Sequence, residues 1–244
     1  MSHNVYVDDT LVFGAEAKTK INTIGPVDSD KIFKEYNFRE LLMNATNDYT
    51  VELDTDSTIA VGSGGAVFTT LATDTRVANL GIGAVRWYPA SSPIVEMKFK
   101  ISLITTVAIY AGFNDAATEA STYLPHGITS STHTATATDS AGFLFDTLQT
   151  LKYFNVVNSL AAGSAKAFTQ LASTYVPVAD TYITIWVAID TSGNARYWYN
   201  GVPVGYKATA VTSTTPLVPF FGIRNNGAAA HVGTLRYVRV WCDA

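Results

Sequence analysis

The chain has 244 residues, 48% of them hydrophobic and only 15% charged, with a formal net charge of −4. That length and apolar content suffice for one domain with a core of its own, and the acidic balance excludes a general attraction to nucleic acid. Cys242 is the only cysteine, so no internal disulfide can form, as expected of a protein folding in a reducing cytoplasm. The start, Met1-Ser2-His3-Asn4, lacks a basic region followed by an apolar run, so no signal peptide is expected. No apolar stretch is long enough to span a bilayer, so no membrane partner is expected either.

Residues 1–45 are mixed in texture and read as an N-terminal extension or arm. Val5-Tyr6-Val7 and Leu11-Val12-Phe13 have the composition of short strands, separated by Asp8-Asp9. After the break at Gly25-Pro26, residues 28–43 predict a helix. Ile32, Phe33, Tyr36, Glu40 and Met43 would share a face, with Asp28 or Ser29 as cap, although Tyr36-Asn37-Phe38 interrupts the pattern.

Residues 46–244 read as strand after strand. In 94–101, Val95, Met97, Phe99 and Ile101 alternate with Glu96, Lys98 and Lys100, the pattern of a half-buried strand. Val107, Ile109, Ala111 and Phe113 form one apolar row, and Ile183, Ile185, Val187 and Ile189 another. The opposite face of the latter strand carries Tyr182, Thr184, Trp186 and Ala188. Asn200-Gly201, following Arg196-Tyr197-Trp198-Tyr199, is a two-residue hairpin signal. The Thr/Ala/Ser run over 129–138 reads as a surface loop or weak edge strand. Residues 235–242 form a last strand of ambiguous register, because Arg236 and Arg239 fall on opposite faces. Many short strands with closely spaced turns predict an all-β, two-sheet antiparallel sandwich over 46–244.

Three segments carry a family resemblance: Ala111-Gly112-Phe113-Asn114-Asp115, the stretch 136–146 with Ala141-Gly142-Phe143-Leu144-Phe145-Asp146, and the double hairpin over 189–205. The last resembles the hairpin of concanavalin-like (laminin-G-like) jelly rolls. In their order the three resemble structural proteins of tailed bacteriophages, the capsid decoration or cement proteins. The resemblance implies a virion component made in the host bacterial cytoplasm. It would lie on the capsid surface with the major capsid protein as partner, acting as a dimer or trimer whose weak contacts add through avidity.

Candidate chemistry is sparse. Concanavalin-like glycoside hydrolases place carboxylates on one strand as Glu-x-Asp-x-x-Glu. The nearest match, Glu52-Leu53-Asp54-Thr55-Asp56-Ser57, ends in Ser57 where the acid should stand. His3, His126, His133 and His231 show no metal-site spacing with one another or with Cys242. Asp28-Ser29-Asp30 and Asp54-Thr55-Asp56 lack the Gly and distant Glu of a calcium loop. Gly62-Ser63-Gly64-Gly65 has no following Lys-Ser or Lys-Thr and reads as a hairpin turn. No Gly-x-Ser-x-Gly elbow occurs. No catalytic residue, cofactor or metal is therefore expected.

Trp186 and Trp198 fall on strands joined by a tight turn and face away from the inward rows. Such a patch is either covered by another layer or serves to stack a glycan or receive a subunit. With Val5, Tyr6, Leu11, Phe13, Phe33 and Tyr36 of the N-terminal arm they form the candidate partner-binding set. The expected function is capsid decoration without enzymatic activity. Its alternatives are a carbohydrate-binding module of a phage fibre or tail, and a glycoside hydrolase with an unfamiliar site.

Overall fold

The structure is a computed structural model in which residues 5–7, 10–12, 31–38, 49–62, 64–119, 123–129, 132–161 and 165–243 are described. Short β-favouring runs bounded by turn residues give strand after strand. The first six are β1 (Val5–Val7), β2 (Thr10–Val12), β3 (Lys31–Asn37), β4 (Tyr49–Leu53), β5 (Thr58–Gly62) and β6 (Gly65–Thr69). There follow β7 (Val77–Ile82), β8 (Ile94–Ile101), β9 (Val107–Asn114), β10 (His126–Thr129), β11 (Thr132–Ala135) and β12 (Ser140–Asp146). The chain continues through β13 (Asn155–Leu160), β14 (Ala165–Gln170), β15 (Ile183–Ile189), β16 (Ala195–Tyr199) and β17 (Val202–Lys207). It ends in β18 (Val218–Asn225) and β19 (Val232–Asp243). Among the described residues the helical content is one 3₁₀ turn, Pro89–Ser91.

Two large antiparallel sheets make the sandwich that the alternation predicts. One is seven-stranded, ordered β14-β13-β12-β9-β18-β7-β4. The other is eight-stranded, ordered β17-β16-β15-β8-β19-β6-β5, with β3 also on β19. β19 is long enough to pair along one edge with β6 through Val232 to Leu235 and then with β3 through Tyr237 to Asp243. Between the sheets lies an aromatic core. Phe99 packs against Phe221 at 5.1 Å and Phe154 at 6.5 Å, and Phe143 against Tyr197 at 5.8 Å. The rows Val95/Met97/Phe99/Ile101 and Ile183/Ile185/Val187/Ile189 point into it, as their period of two requires.

Of the range 28–43, expected as a helix, the described residues 31–38 are not helical. Its central part, Lys31–Asn37, is the strand β3, antiparallel to β19, with Tyr36 opposite Val238. Tyr36 and Phe38 are buried in the core and lie against Tyr49 at 5.7 and 5.4 Å. Residues 36–38, which interrupt the helical period, are an alternating strand pattern. Pairing with the free edge of β19 overrides local helical preference. This part of the N-terminal segment is thus built into the sandwich, and Tyr36 faces its core. The backbone of β1 and β2 forms a hairpin, as the two apolar triplets suggest. The side chains of Val5, Tyr6 and Leu11, and all of Phe13, lie outside the described residues.

A third layer covers the outer face of the seven-stranded sheet. Of the 129–138 run, Thr129 ends β10 and Thr132–Ala135 form β11, its antiparallel partner, so the edge-strand alternative holds for this part. Leu124 and Ile128 pack onto Ala108, Tyr110, Leu144, Val157 and Phe220. Consequently β7, β9, β12 and β18 are buried on both faces. Gly81 and Gly222 permit the close approach. A Cβ at Gly81 would collide with the Ala117 carbonyl, and one at Gly222 would lie 2.7 Å from a Leu124 methyl.

Candidate functional site

The outer face of the eight-stranded sheet is where the sequence places Trp186 and Trp198, and the structure gathers a larger aromatic group there. The two indoles stand directly opposite each other on β15 and β16, with ring centroids 6.4 Å apart. Trp241 of β19 meets Trp186 edge to face at 5.9 Å. Phe33 of β3 is the cross-strand neighbour of Trp241 and is 38% exposed. Of the expected partner-binding residues, the fold therefore brings Trp186, Trp198 and Phe33 onto one face. Trp241 escaped the sequence reading because the register of the last strand was ambiguous.

Next to the indoles runs a row of charge. Glu96 lies opposite both Trp186 and Arg239, and Arg239 opposite Glu35. Arg239 Nη1 is 3.5 Å from Glu96 Oε1, and its Nε is 3.4 Å from Glu35 Oε2. The Tyr237 hydroxyl donates to Glu96 Oε1 at 2.5 Å. Burial raises the Glu96 carboxyl above its usual range, against the pull of Tyr237 and Arg239. Farther along the face, Lys98, Lys100 and Arg236 surround the Tyr182 ring at 5.7, 5.7 and 5.5 Å. One carboxylate, Asp180, pairs with Lys100 at 3.1 Å.

At the other end of the face a trough of about 360 Å³ opens beside Trp198, with Ala188 in its floor. Its rim is the turn from Asp190 to Asn194. Asp190 Oδ1 accepts from the backbone N–H groups of Ser192 and Asn194 at 2.9 and 3.0 Å, and Oδ2 accepts from Asn194 Nδ2 at 2.9 Å.

The seven-stranded sheet presents polar groups too, but they are sealed beneath β10–β11. His126 Nε2 and Ser140 Oγ share a hydrogen bond of 2.6 Å, and His126 Nδ1 shares one of 2.9 Å with His133 Nε2. The two imidazoles stack at 5.1 Å, although seven residues of loop-like sequence gave no metal spacing between them. Ser140 and His126 are fully buried, so this serine–histidine pair ties the hairpin to the sheet. Asp146 does the same. Its carboxylate accepts from the Ile128 and Leu148 N–H groups at 2.8 and 2.9 Å and from Asn226 at 2.8 Å, with Arg224 at 3.7 Å. Burial raises its carboxyl above the ordinary value, against the Leu148 hydrogen bond and the Arg224 charge.

The glycosidase-like carboxylates are likewise engaged. Glu52 Oε2 accepts from the Glu119 N–H at 2.6 Å and from Asn79 Nδ2 at 3.2 Å, while Asp54 pairs with Arg76 at 2.8 Å. Among the described residues no group of three or more His, Cys, Asp or Glu side chains is placed to hold a metal. No described helix is long and apolar enough to cross a membrane.

No family model and no curated protein matches the sequence. Among solved structures, a protein of unknown function from Shewanella oneidensis is similar, with TM-score 0.58 and 12% identity over 96% of this chain and 95% of that one. The potassium-bound carbohydrate recognition domain of Emp46p has TM-score 0.57 and 11% identity, covering 84% of this chain and 94% of its own. The β-glucanase of Bacillus licheniformis has TM-score 0.56 and 11% identity, covering 87% and 98%. These likenesses define the class: the chain is a concanavalin-like jelly-roll β-sandwich, a fold shared by carbohydrate-recognition domains and glycoside hydrolases. The three segments with the virion-protein resemblance map onto the end of β9, onto β12 and onto the hairpins of β15 to β17. They lie on framework strands of the two large sheets.

Proposed function

We propose that this chain is a non-catalytic attachment module that docks onto a larger assembly through the outer face of its eight-stranded sheet. The observation that carries the reading is the aromatic group of Phe33, Trp241, Trp186 and Trp198, spread over β3, β19, β15 and β16 on one face. Aromatic anchors of this kind dominate protein interfaces. The absence of catalysis is part of the proposal. Glu52 through Oε2, Asp54 through Oδ1 and Asp146 through both oxygens are held in structural hydrogen bonds or ion pairs, and we read these carboxylates as structural rather than as nucleophile or acid toward a substrate.

In its specific form the assembly is a phage capsid, the partner its major capsid protein, and attachment is summed over a homo-oligomer. Support for that form comes from the ordered resemblance of the three segments. The test mixes purified protein with capsids lacking it and sediments the mixture. Wild type should pellet with the shells. Phe33→Ser, at an exposed position on the docking face, should pellet much less while melting at nearly the same temperature. Failure of the wild type to pellet sinks the capsid form, and equal pelleting of both removes this face from the mechanism. Release of reducing sugar from β-glucans, lost on Glu52→Ala, would overturn the non-catalytic reading.

A further inference from the structure

We propose that the docking face receives an acidic segment of its protein partner at the end marked by Tyr182, where Lys98, Lys100 and Arg236 gather; the inference rests on the reading of this face as the attachment surface. The cluster is built by strand register and by one irregularity. Lys98 stands opposite Thr184 of β15 and Tyr237 of β19, one outward row beyond Glu96 and Trp186. Lys100 is the next outward residue on β8 and stands opposite Thr234. On a regular β19, Arg236 could not share a face with Tyr237. The bulge between Leu235 and Tyr237 lets both project outward. The Arg236 guanidinium then lies 5.5 Å from the centre of the Tyr182 ring, and the Lys98 and Lys100 ammonium groups each lie 5.7 Å from it. The ring itself is held by its hydroxyl, which donates to the Gly64 carbonyl at 3.2 Å.

Gathering cations in a chain of net charge −4 runs against its overall balance, and the Tyr182 ring offsets only part of their mutual repulsion. One carboxylate, the largely exposed Asp180, pairs with Lys100. Glu96, on the neighbouring row, is already engaged by Arg239 and Tyr237. Lys98 and Arg236 form no ion pair among the described residues. An excess of positive charge therefore faces outward at the margin of the aromatic group. An apolar centre with a charged rim is the anatomy of a protein interface, in which rim charges steer encounter and fix orientation. The complementary occupant is a protein surface that carries carboxylates beside its apolar anchors. The cations spread around a ring instead of converging on one point, so a run of carboxylates matches them better than a single phosphoryl group. Nucleic acid and anionic bilayers are extended anionic surfaces that would also meet the rest of an acidic chain, whereas a short acidic segment meets the cluster alone.

The test titrates a fluorescein-labelled deca-glutamate peptide with the full chain and follows anisotropy. Saturable binding is expected below about 1 mM at low salt, and it should weaken tenfold or more between about 50 and about 500 mM sodium chloride. The double variant Lys98→Gln/Arg236→Gln should lose at least tenfold in affinity, and Arg236→Lys, which keeps the charge, should retain most of it. Lys152→Gln removes an exposed cation elsewhere and should leave binding unchanged, as should Phe33→Ser. Circular dichroism melting of each variant separates loss of the cluster from loss of the fold. Absence of saturable peptide binding, equal binding by the double variant and the wild type, or tighter binding of phosphatidylglycerol vesicles or oligothymidylate than of the peptide would each overturn the proposal. Self-association at low salt that the double variant abolishes would also overturn it, by making a second copy the occupant. Sedimentation with capsids is read separately. Pelleting that the double variant leaves unchanged overturns the acidic-partner inference alone, and a wild type that binds the peptide but does not pellet sinks the capsid form alone.

Discussion

Arg236 explains why the last strand resists reading from sequence. Against β8, Leu235 stands opposite Phe99 and Tyr237 opposite Lys98, so Arg236 is the extra residue of a β-bulge. The bulge switches the parity of the strand: Leu235 and Val238 both face the core, three residues apart. On β8 the parity is undisturbed, and it makes a sharp prediction. Phe99→Ala should cost roughly 3–5 kcal/mol in denaturant unfolding. Lys98→Ala, on the opposite face, should cost under about 0.5 kcal/mol. Glu96 departs from the simple in-and-out rule, since it is buried on the outer face. Burial raises its carboxyl above the usual 4.5, so the folded chain holds this proton more tightly than the unfolded one. The corresponding stability is present below that value and lost as pH rises through the folded-state value. Between pH 4.5 and neutrality, the melting temperature of the wild type should fall relative to that of Glu96→Gln. Parallel curves would mean that Glu96 is not desolvated. Asp146 contributes a slope of the same sign to both proteins.

At the scale of elements, β3 is the clearest case of context overruling local preference. Its outer-face residues are Phe33 and Glu35, and its inner face brings Tyr36 beneath the sheet. Tyr36→Ala should therefore cost roughly 3–5 kcal/mol, as for other large buried rings, whereas Phe33→Ala should cost far less. A chain beginning at Asn44 would lose β3 and leave half an edge of β19 unpaired. It should melt at a distinctly lower temperature than the full chain, and equal melting would remove β3 from the stable sandwich. The hairpin β10–β11 shows the same effect from the other side. Its Thr-rich composition reads as solvent-facing, yet His126, Ile128 and the Asp146 hydrogen bond hold it against the seven-stranded sheet.

For the whole molecule, β19 is the keystone. It is the last strand in the chain, yet it pairs with β3, β6 and β8. The eight-stranded sheet cannot close until the end of the chain has joined strands near its beginning. Non-local pairing of this kind places folding in the range of about milliseconds to seconds. Deleting residues 232–243 should abolish the cooperative thermal transition followed by circular dichroism. A truncated chain that still melts cooperatively would show that the sandwich is stable without β19.

Sequence by itself determined the all-β class, the inward rows of β8, β9 and β15, the turn at Asn200-Gly201 and the outward direction of Trp186 and Trp198. All of these follow from the two-residue period of a strand and from turn chemistry, which act between near neighbours. Tertiary structure alone decided that 31–37 pairs as a strand, that 129–138 contributes to a third layer, and that His126 meets His133. It also decided that Trp241 and Phe33 join the indole pair, and that Ala188 opens a trough between Trp198 and the Asp190 turn. Each of these depends on which distant strand lies alongside and in what register. A bulge at one residue, or a free edge more than a hundred residues away, changes that outcome without leaving a local mark in the sequence.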